Sequence, residues 1–235
     1  MSPADRVDVP ASLWPSEYTA LLLQTLRQHV DWVRGARVLE IGSGSGVLLA
    51  ASGTLGAAAL CGVDIAAEAV AATLDLLRRA AFDAEIEVLQ GNLFAPVVGR
   101  RFDLITANLP HFPMRPEGVS GRLPSWSSGG LDGRCILDPF LAGLGQHLTP
   151  EGRAVIVHNA FDDLDATRAV AGHQGLGVRV LATILVHLAP PKLAVMTPAV
   201  LERETGRTIH RYGAHTFGEV HAIAIGRSSV TEMTR

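Results

Sequence analysis

Through the first two-thirds of the chain, short, mostly apolar runs alternate with longer segments whose apolar residues recur every three or four positions. The runs at 37–41, 58–63, 86–89, 102–107 and 154–157 have the length and composition of strands buried on both faces. The segments at 47–52, 66–80, 136–147 and 162–173 have helical spacing. Strands that alternate with helices need crossover connections, which predicts a parallel sheet covered by helices on both faces. Ahead of the first run, Tyr18, Leu21, Leu22, Leu26, His29 and Val30 share one helical face within 16–33, and Ser16 is placed to cap that helix. Residues 1–12 are polar and are expected to fray.

The pattern changes in the last third. Residues 178–188 and 219–225 read as strands, and "APPKLAVMTPAVLERETGRTIHRYGAHTF" between them shows no good helix. This predicts an antiparallel edge hairpin carrying a long insertion at about 189–217, of the kind that is usually functional or mobile. The expected organisation is an N-terminal helical lid over 1–34 and one α/β domain over 35–235, a length sufficient for a single full-sized core.

Composition narrows the partners. Twenty basic residues face 23 acidic ones, and Lys192 is the sole lysine, so there is no basic field for a nucleic-acid backbone and nucleic acid is not expected as a partner. No apolar run approaches a membrane span and no basic segment leads into an apolar one near the start, which predicts a cytoplasmic protein with no membrane contact. Cys61 and Cys135 lie far apart and read as reduced thiols. Of nine histidines, His187, His210, His215 and His221 crowd the last third, but none has a metal-site spacing, so no metal is expected. Tyr212, His215 and Phe217 in "RYGAHTF" could instead fold over a pocket.

Candidate chemistry lies at the strand ends. "VLEIGSGSGVLLA" places Gly42, Gly44 and Gly46 at a strand-to-helix turn, where backbone N–H groups approach a ligand unobstructed. The spacing is G-x-G-x-G and not the G-x-G-x-x-G of dinucleotide sites, which shifts the expected ligand from NAD towards S-adenosyl-L-methionine. Asp64, at the end of the second strand, can accept both ribose hydroxyls. Glu40 beside the glycine loop suits an ammonium and would repel a pyrophosphate. At the third strand, Asn92 can bond the adenine edge and Leu93 or Phe94 can cover its face. Ser43 and Ile65 are the loop neighbours expected to line the same site. The fourth strand runs into "ANLPHFP", a rigid turn with one carboxamide and one imidazole.

With these four strand ends the chain resembles the class I S-adenosylmethionine-dependent methyltransferases, and more narrowly the release-factor glutamine methyltransferase family. The resemblance covers about residues 12–175, through "LWPSEYTALLLQTL", "VLEIGSGSG", "GVDI", "GNLF", "FDLITANLP" and "SSGGLDGRCILDPFLAGLGQHLTPEGRAVIV". It implies a Rossmann-like seven-stranded, mostly parallel sheet with helices on both faces and the last strand antiparallel. It also implies that Glu40, Gly42, Gly44, Gly46, Asp64 and Asn92 bind the cofactor. The family's catalytic turn is Asn-Pro-Pro-Tyr, whose Asn oxygen and next carbonyl accept hydrogen bonds from a planar amino group and aim its nitrogen at the sulfonium methyl, an effect of positioning. Asn108 and the Leu109 carbonyl fill those places, with Pro110 keeping the turn rigid.

Three departures shape the expectation. Leu109 replaces the first proline, as in the Asn-Leu-Pro-Tyr of ribosomal RNA adenine dimethyltransferases, Asn92 replaces an acidic residue, and His111 replaces the aromatic. An imidazole can orient or deprotonate an acceptor, or it can simply stack. Together with the altered C-terminal region, this predicts an enzyme that methylates a small metabolite bearing an amine, indole or other aromatic, acting as a monomer or homodimer in small-molecule biosynthesis. Trp14, Tyr18, Leu109, Phe112 and Trp126 are the expected substrate walls. The alternatives are a protein (glutamine-type) or RNA N-methyltransferase and a non-catalytic cofactor-binding scaffold.

Overall fold

A computed structural model describes residues 14–115 and 127–227, so Trp126, one of the expected substrate-wall residues, lies outside the described residues. The strands are β1 (Arg37–Ile41), β2 (Ala59–Asp64), β3 (Glu85–Gln90), β4 (Phe102–Ala107), β5 (Leu148–Asn159), β6 (Gly177–His187), β7 (Ile209–Tyr212) and β8 (His215–Gly226). The α-helices among the described residues are α1 (Glu17–Gln28), α2 (Val47–Thr54), α3 (Ala67–Ala80), α4 (Leu137–His147), α5 (Leu164–Gly172), α6 (Pro190–Val195) and α7 (Pro198–Glu204). They build a Rossmann-like sheet in the order β3-β2-β1-β4-β5-β8-β6, with the short β7 paired to β8. β1 to β5 are parallel, and β8 runs antiparallel between β5 and β6. The seven-strand path matches the expected architecture, and β7 adds an eighth strand that four residues at a tight hairpin were too short to announce.

Alternation along each strand assigns its side chains to opposite layers. Leu39, Ile41, Cys61, Val63, Ile105 and Ile156 join Phe140, Leu141 and Leu144 of α4 on one face. Val38, Leu60, Leu104, Val155 and Val220 face the other way and meet Leu21, Leu22 and Leu26 of α1, with Leu48 and Leu49 of α2. The N-terminal helix is therefore anchored in the core by its apolar stripe.

The span between β6 and β8 departs from the reading of a helix-free insertion. It contains α6 and α7, each with proline in its first turn, where a missing N–H costs nothing and the fixed φ favours the helix. These helices bury a third cluster, Phe112, Met114, Phe161, Leu188, Met196, Val200 and Ile209, which joins the insertion to the loop after β4. Among the described residues no helix is long and apolar enough to cross a membrane.

Candidate active site

Strand register brings the functional loops to one edge. Ile41 pairs with both Val63 and Ala107, and Asp64 pairs with Gln90, so the carboxyl ends of β1 to β4 finish at nearly the same level. A cavity of about 900 Å³ opens above them, the usual ligand position in a parallel α/β sheet.

The glycine loop forms one wall through Gly42, Ser43 and Gly44, with Glu40 behind it. Gly42 and Gly46 have φ of 74° and 78°. Gly46 does not line the cavity: a Cβ there would lie 2.9 Å from the Thr73 backbone, so its bare Cα lets the loop press against α3. Asp64 binds the loop from the next strand, accepting hydrogen bonds from the Gly44 N–H at 3.0 Å and the Ala66 N–H at 2.9 Å. A carboxylate has about four acceptor positions, so two remain for hydroxyl groups.

Two features test whether the residues present suit S-adenosylmethionine. Glu40 is buried, burial raises its carboxyl pKa well above the usual range, and its Oε2 has no hydrogen-bond partner. A cationic ligand beside it would restore the charged form, and the cofactor's methionine ammonium is such a group. Ile65, apolar yet 70% exposed, stands on the cavity wall with Asn92 and Leu93, as a flat apolar ring system would require. The residues therefore fit the group: Glu40 would hold the ammonium, Asp64 the ribose, and Ile65, Asn92 and Leu93 the adenine. Phe94, the alternative cover for adenine, turns inward and stacks on Phe140 and His147.

Asn108, Leu109, Pro110, His111 and Phe112, from the turn after the adjacent strand β4, line the same cavity, as do Trp14 and Tyr18. The Asn108 Nδ2 donates to the Thr19 hydroxyl at 3.5 Å, which leaves the side-chain oxygen as its acceptor end. His111 is buried and burial pushes its pKa down to about 4, so the imidazole is neutral near pH 7. Its Nδ1 bonds the Leu109 carbonyl, and its ring meets Tyr18 edge-on at 6.1 Å. So weak a base suits orientation of the turn better than proton removal, and an uncharged ring avoids repelling a sulfonium.

A buried polar network supports the turn from behind. Asn159 donates to the His111 carbonyl at 3.2 Å and to the Asp162 carboxyl at 2.9 Å. Arg134 donates to the Asp162 carbonyl at 2.6 Å, to Thr167 at 3.1 Å and to Asp138 at 2.6 Å. The glycines of "SSGG" serve close packing, since a Cβ on Gly129 would lie 2.6 Å from the His111 Cα. Among the wall residues that sequence reasoning missed are the polar Asn159 and Lys192. The rarity of lysine in the chain was the single available signal for Lys192. Tyr212, His215 and Phe217 stay outside the wall, although His215 and Phe217 pack on His187, which belongs to it.

Residues 17–111 match the family model of the ribosomal protein L11 methyltransferases. A candidate protein N5-glutamine methyltransferase of Methanocaldococcus jannaschii is 35% identical over 148 residues, 63% of this chain and 72% of that one. The chain belongs to the glutamine methyltransferase family of class I S-adenosylmethionine-dependent methyltransferases. The release factor glutamine methyltransferase of Xylella fastidiosa is 31% identical over 71% of this chain and 62% of its own length. The chain thus spans 72%, 52% and 62% of the length of three of the curated relatives it matches. Its fold is shared with the ribosomal protein L11 methylase of Lactobacillus delbrueckii, with a TM-score of 0.55 at 18% identity over 91% of this chain and 80% of that one.

These relatives overturn the expectation of a small-metabolite acceptor, of a small-molecule partner and of a place in small-molecule biosynthesis, because they are named as methylating glutamine in proteins. The physical reason is visible in the turn. The substitution at His111 leaves a neutral, buried ring that contacts Tyr18 and supports the Leu109 carbonyl, so it does not remake the turn for another acceptor. The near balance of 20 basic and 23 acidic residues says nothing against a polypeptide acceptor.

Proposed function

We propose that the chain transfers the methyl group of S-adenosylmethionine to the side-chain amide nitrogen of a glutamine in a protein. The observation that carries this reading is that Asn108 and Leu109 line the same cavity as the glycine loop, with the Leu109 side chain packed against Gly42. A primary amide is planar and weakly nucleophilic. Two acceptors in its plane hold both N–H groups and turn the nitrogen face towards the methyl group, so that positioning supplies much of the rate. When bound, S-adenosylmethionine would supply an electrophilic methyl on its sulfonium, and the amide nitrogen that takes it would release one proton to water, since His111 is too weak a base to hold it. Pro110 limits the motion of the turn, and His111 and Asn159 hold its carbonyl groups.

The test is transfer of labelled methyl to release factor and ribosomal proteins, with mass spectrometry of the labelled residue and Asn108→Ala as the control. Methylated glutamine from the wild type and none from the variant supports the reading. Label confined to nucleic acid or metabolites in a cell extract would sink it.

A further inference from the structure

Lys192, carried by α6, reaches the wall of the cavity that holds Asn108 and the glycine loop. Its Nζ lies 5.4 Å from the Tyr18 ring centroid and 5.0 Å from that of Phe112. Ring faces attract a cation but do not satisfy its three N–H donors. No carboxylate reaches ion-pair distance of it among the described residues, and Glu17 is the acid whose charge acts on it. Burial pulls the ammonium pKa down, which measures how far it has been drawn out of water.

The placement is built by packing. The Thr197 N–H donates to the Pro113 carbonyl at 2.9 Å, and Met114 and Met196 form a β-bridge. Met114, Met196 and Phe112 share the third apolar cluster. The segment that carries Lys192 is therefore fastened to the chain that leaves the catalytic turn, and the charge is set in place before any acceptor arrives.

We propose that Lys192 is a specificity residue of the acceptor site and binds a carboxylate of the polypeptide close to the methylated amide. The proposal rests on the glutamine reading above. The carboxylate is either an Asp or Glu side chain flanking the glutamine or a nearby chain terminus, since both present the same group to the ammonium. A single negative charge suits the site better than a phosphate, because Glu17, Glu40 and Asp64 line the same cavity and repel a dianion more strongly. Tyr18 and Phe112 shield the pair from water, which strengthens a charge-assisted bond.

Three peptides with a central glutamine test this: one with an acidic flanking residue and an amidated end, one with neutral flanks and a free carboxyl end close to the glutamine, and one neutral throughout. Labelled transfer is measured for wild type, Lys192→Gln and Lys192→Arg. The wild type is expected to prefer one charged peptide over the neutral one by about tenfold to a hundredfold in kcat/KM, the range of a charged hydrogen bond. The preferred peptide identifies the source of the carboxylate. K192Q should bring the ratio towards unity and K192R should keep most of it. Equal wild-type rates on all three peptides, or a K192Q variant that slows every peptide equally and preserves the ratio, overturns the inference and leaves the glutamine reading standing. Transfer to none of the peptides, the neutral one included, counts against both.

Discussion

The two walls of the cavity are made by different means. On the cofactor side, backbone does most of the work: three consecutive strand ends, a glycine turn and Asp64, at the end of the adjacent strand, bonded to the Gly44 N–H. On the acceptor side, side chains converge from α1, the turn after β4, the end of β5 and the insertion after β6; the third apolar cluster fastens the turn to the insertion, and α1 is held separately by Leu21, Leu22 and Leu26. The difference separates conserving a ligand from choosing one. A wall of short-range backbone geometry suits a fixed cofactor, whereas a wall assembled from distant segments can change its acceptor by altering a few residues.

The comparison breaks most visibly at Gly46. Gly46→Ala combines an unfavourable left-handed φ with a Cβ 2.9 Å from the Thr73 backbone. About 3 kcal/mol of lost stability is expected in urea unfolding, with S-adenosylhomocysteine binding largely abolished in calorimetry. Gly99→Ala is the control, with a φ of 76° and open space around the new methyl, and about 1 kcal/mol is expected there. Equal losses at the two glycines would mean that the close approach to α3 is unimportant.

Asn108→Ala tests the other wall. It should lower kcat by roughly a hundredfold to a thousandfold while S-adenosylhomocysteine binding stays within about twofold, since removal of a group that positions the reacting centre costs a few kcal/mol in the transition state. A parallel loss of cofactor affinity would show that the two walls act as one.

The cofactor wall was legible in the sequence for the same reason that it is robust. β1 and β2 are short, mostly apolar runs, Gly42 and Gly44 come directly after the first and Asp64 ends the second, so local pattern locates the ligand site. The acceptor wall was not. α6 and α7 have six and seven residues, too few to show a helical period, and their prolines read as breakers. Lys192 meets Tyr18 across most of the chain's length, a contact that no local spacing encodes. His111 misled in another way: its chemistry suggested a base, while its burial, which a sequence does not display, makes it a neutral support.

Acid titration isolates that buried state. His111 has a folded pKa of about 4, below the ordinary 6.5 of an unfolded chain. Above pH 6.5 neither state carries the proton and nothing is lost. Between 6.5 and 4 the unfolded chain takes up a proton that the folded one refuses, so stability falls with falling pH, and below 4 the loss levels off. From pH 7 to 5 the wild type should lose about 2 kcal/mol more than His111→Gln, measured by urea unfolding at each pH. Comparison of the two proteins cancels Glu40 and Asp162, whose raised carboxyls act in the opposite sense, and cancels the part of His158's depression, to about 3, that comes from burial and not from His111. Identical pH dependence would mean that the ring takes up its proton as readily in the folded protein as in the unfolded chain, and that its support of Leu109 is of another kind.

The smallest expected effect falls where α1 touches the turn. The Thr19 hydroxyl accepts a 3.5 Å bond from Asn108 and a 3.3 Å bond from the Ser16 N–H. Thr19→Val keeps the shape and removes both acceptor bonds, and Asn108, half-buried at the cavity, can turn its amide to water. The stability change should be about 1 kcal/mol. The informative readout is the partition of the kinetic effect. A looser Asn108 should raise the acceptor KM by a few-fold with S-adenosylhomocysteine affinity unchanged, because no cofactor-wall residue bonds that hydroxyl. A fall in cofactor affinity equal to the rise in KM would instead make α1 a support of both walls, and the division between a conserved ligand and a chosen one would then begin above the N-terminal helix.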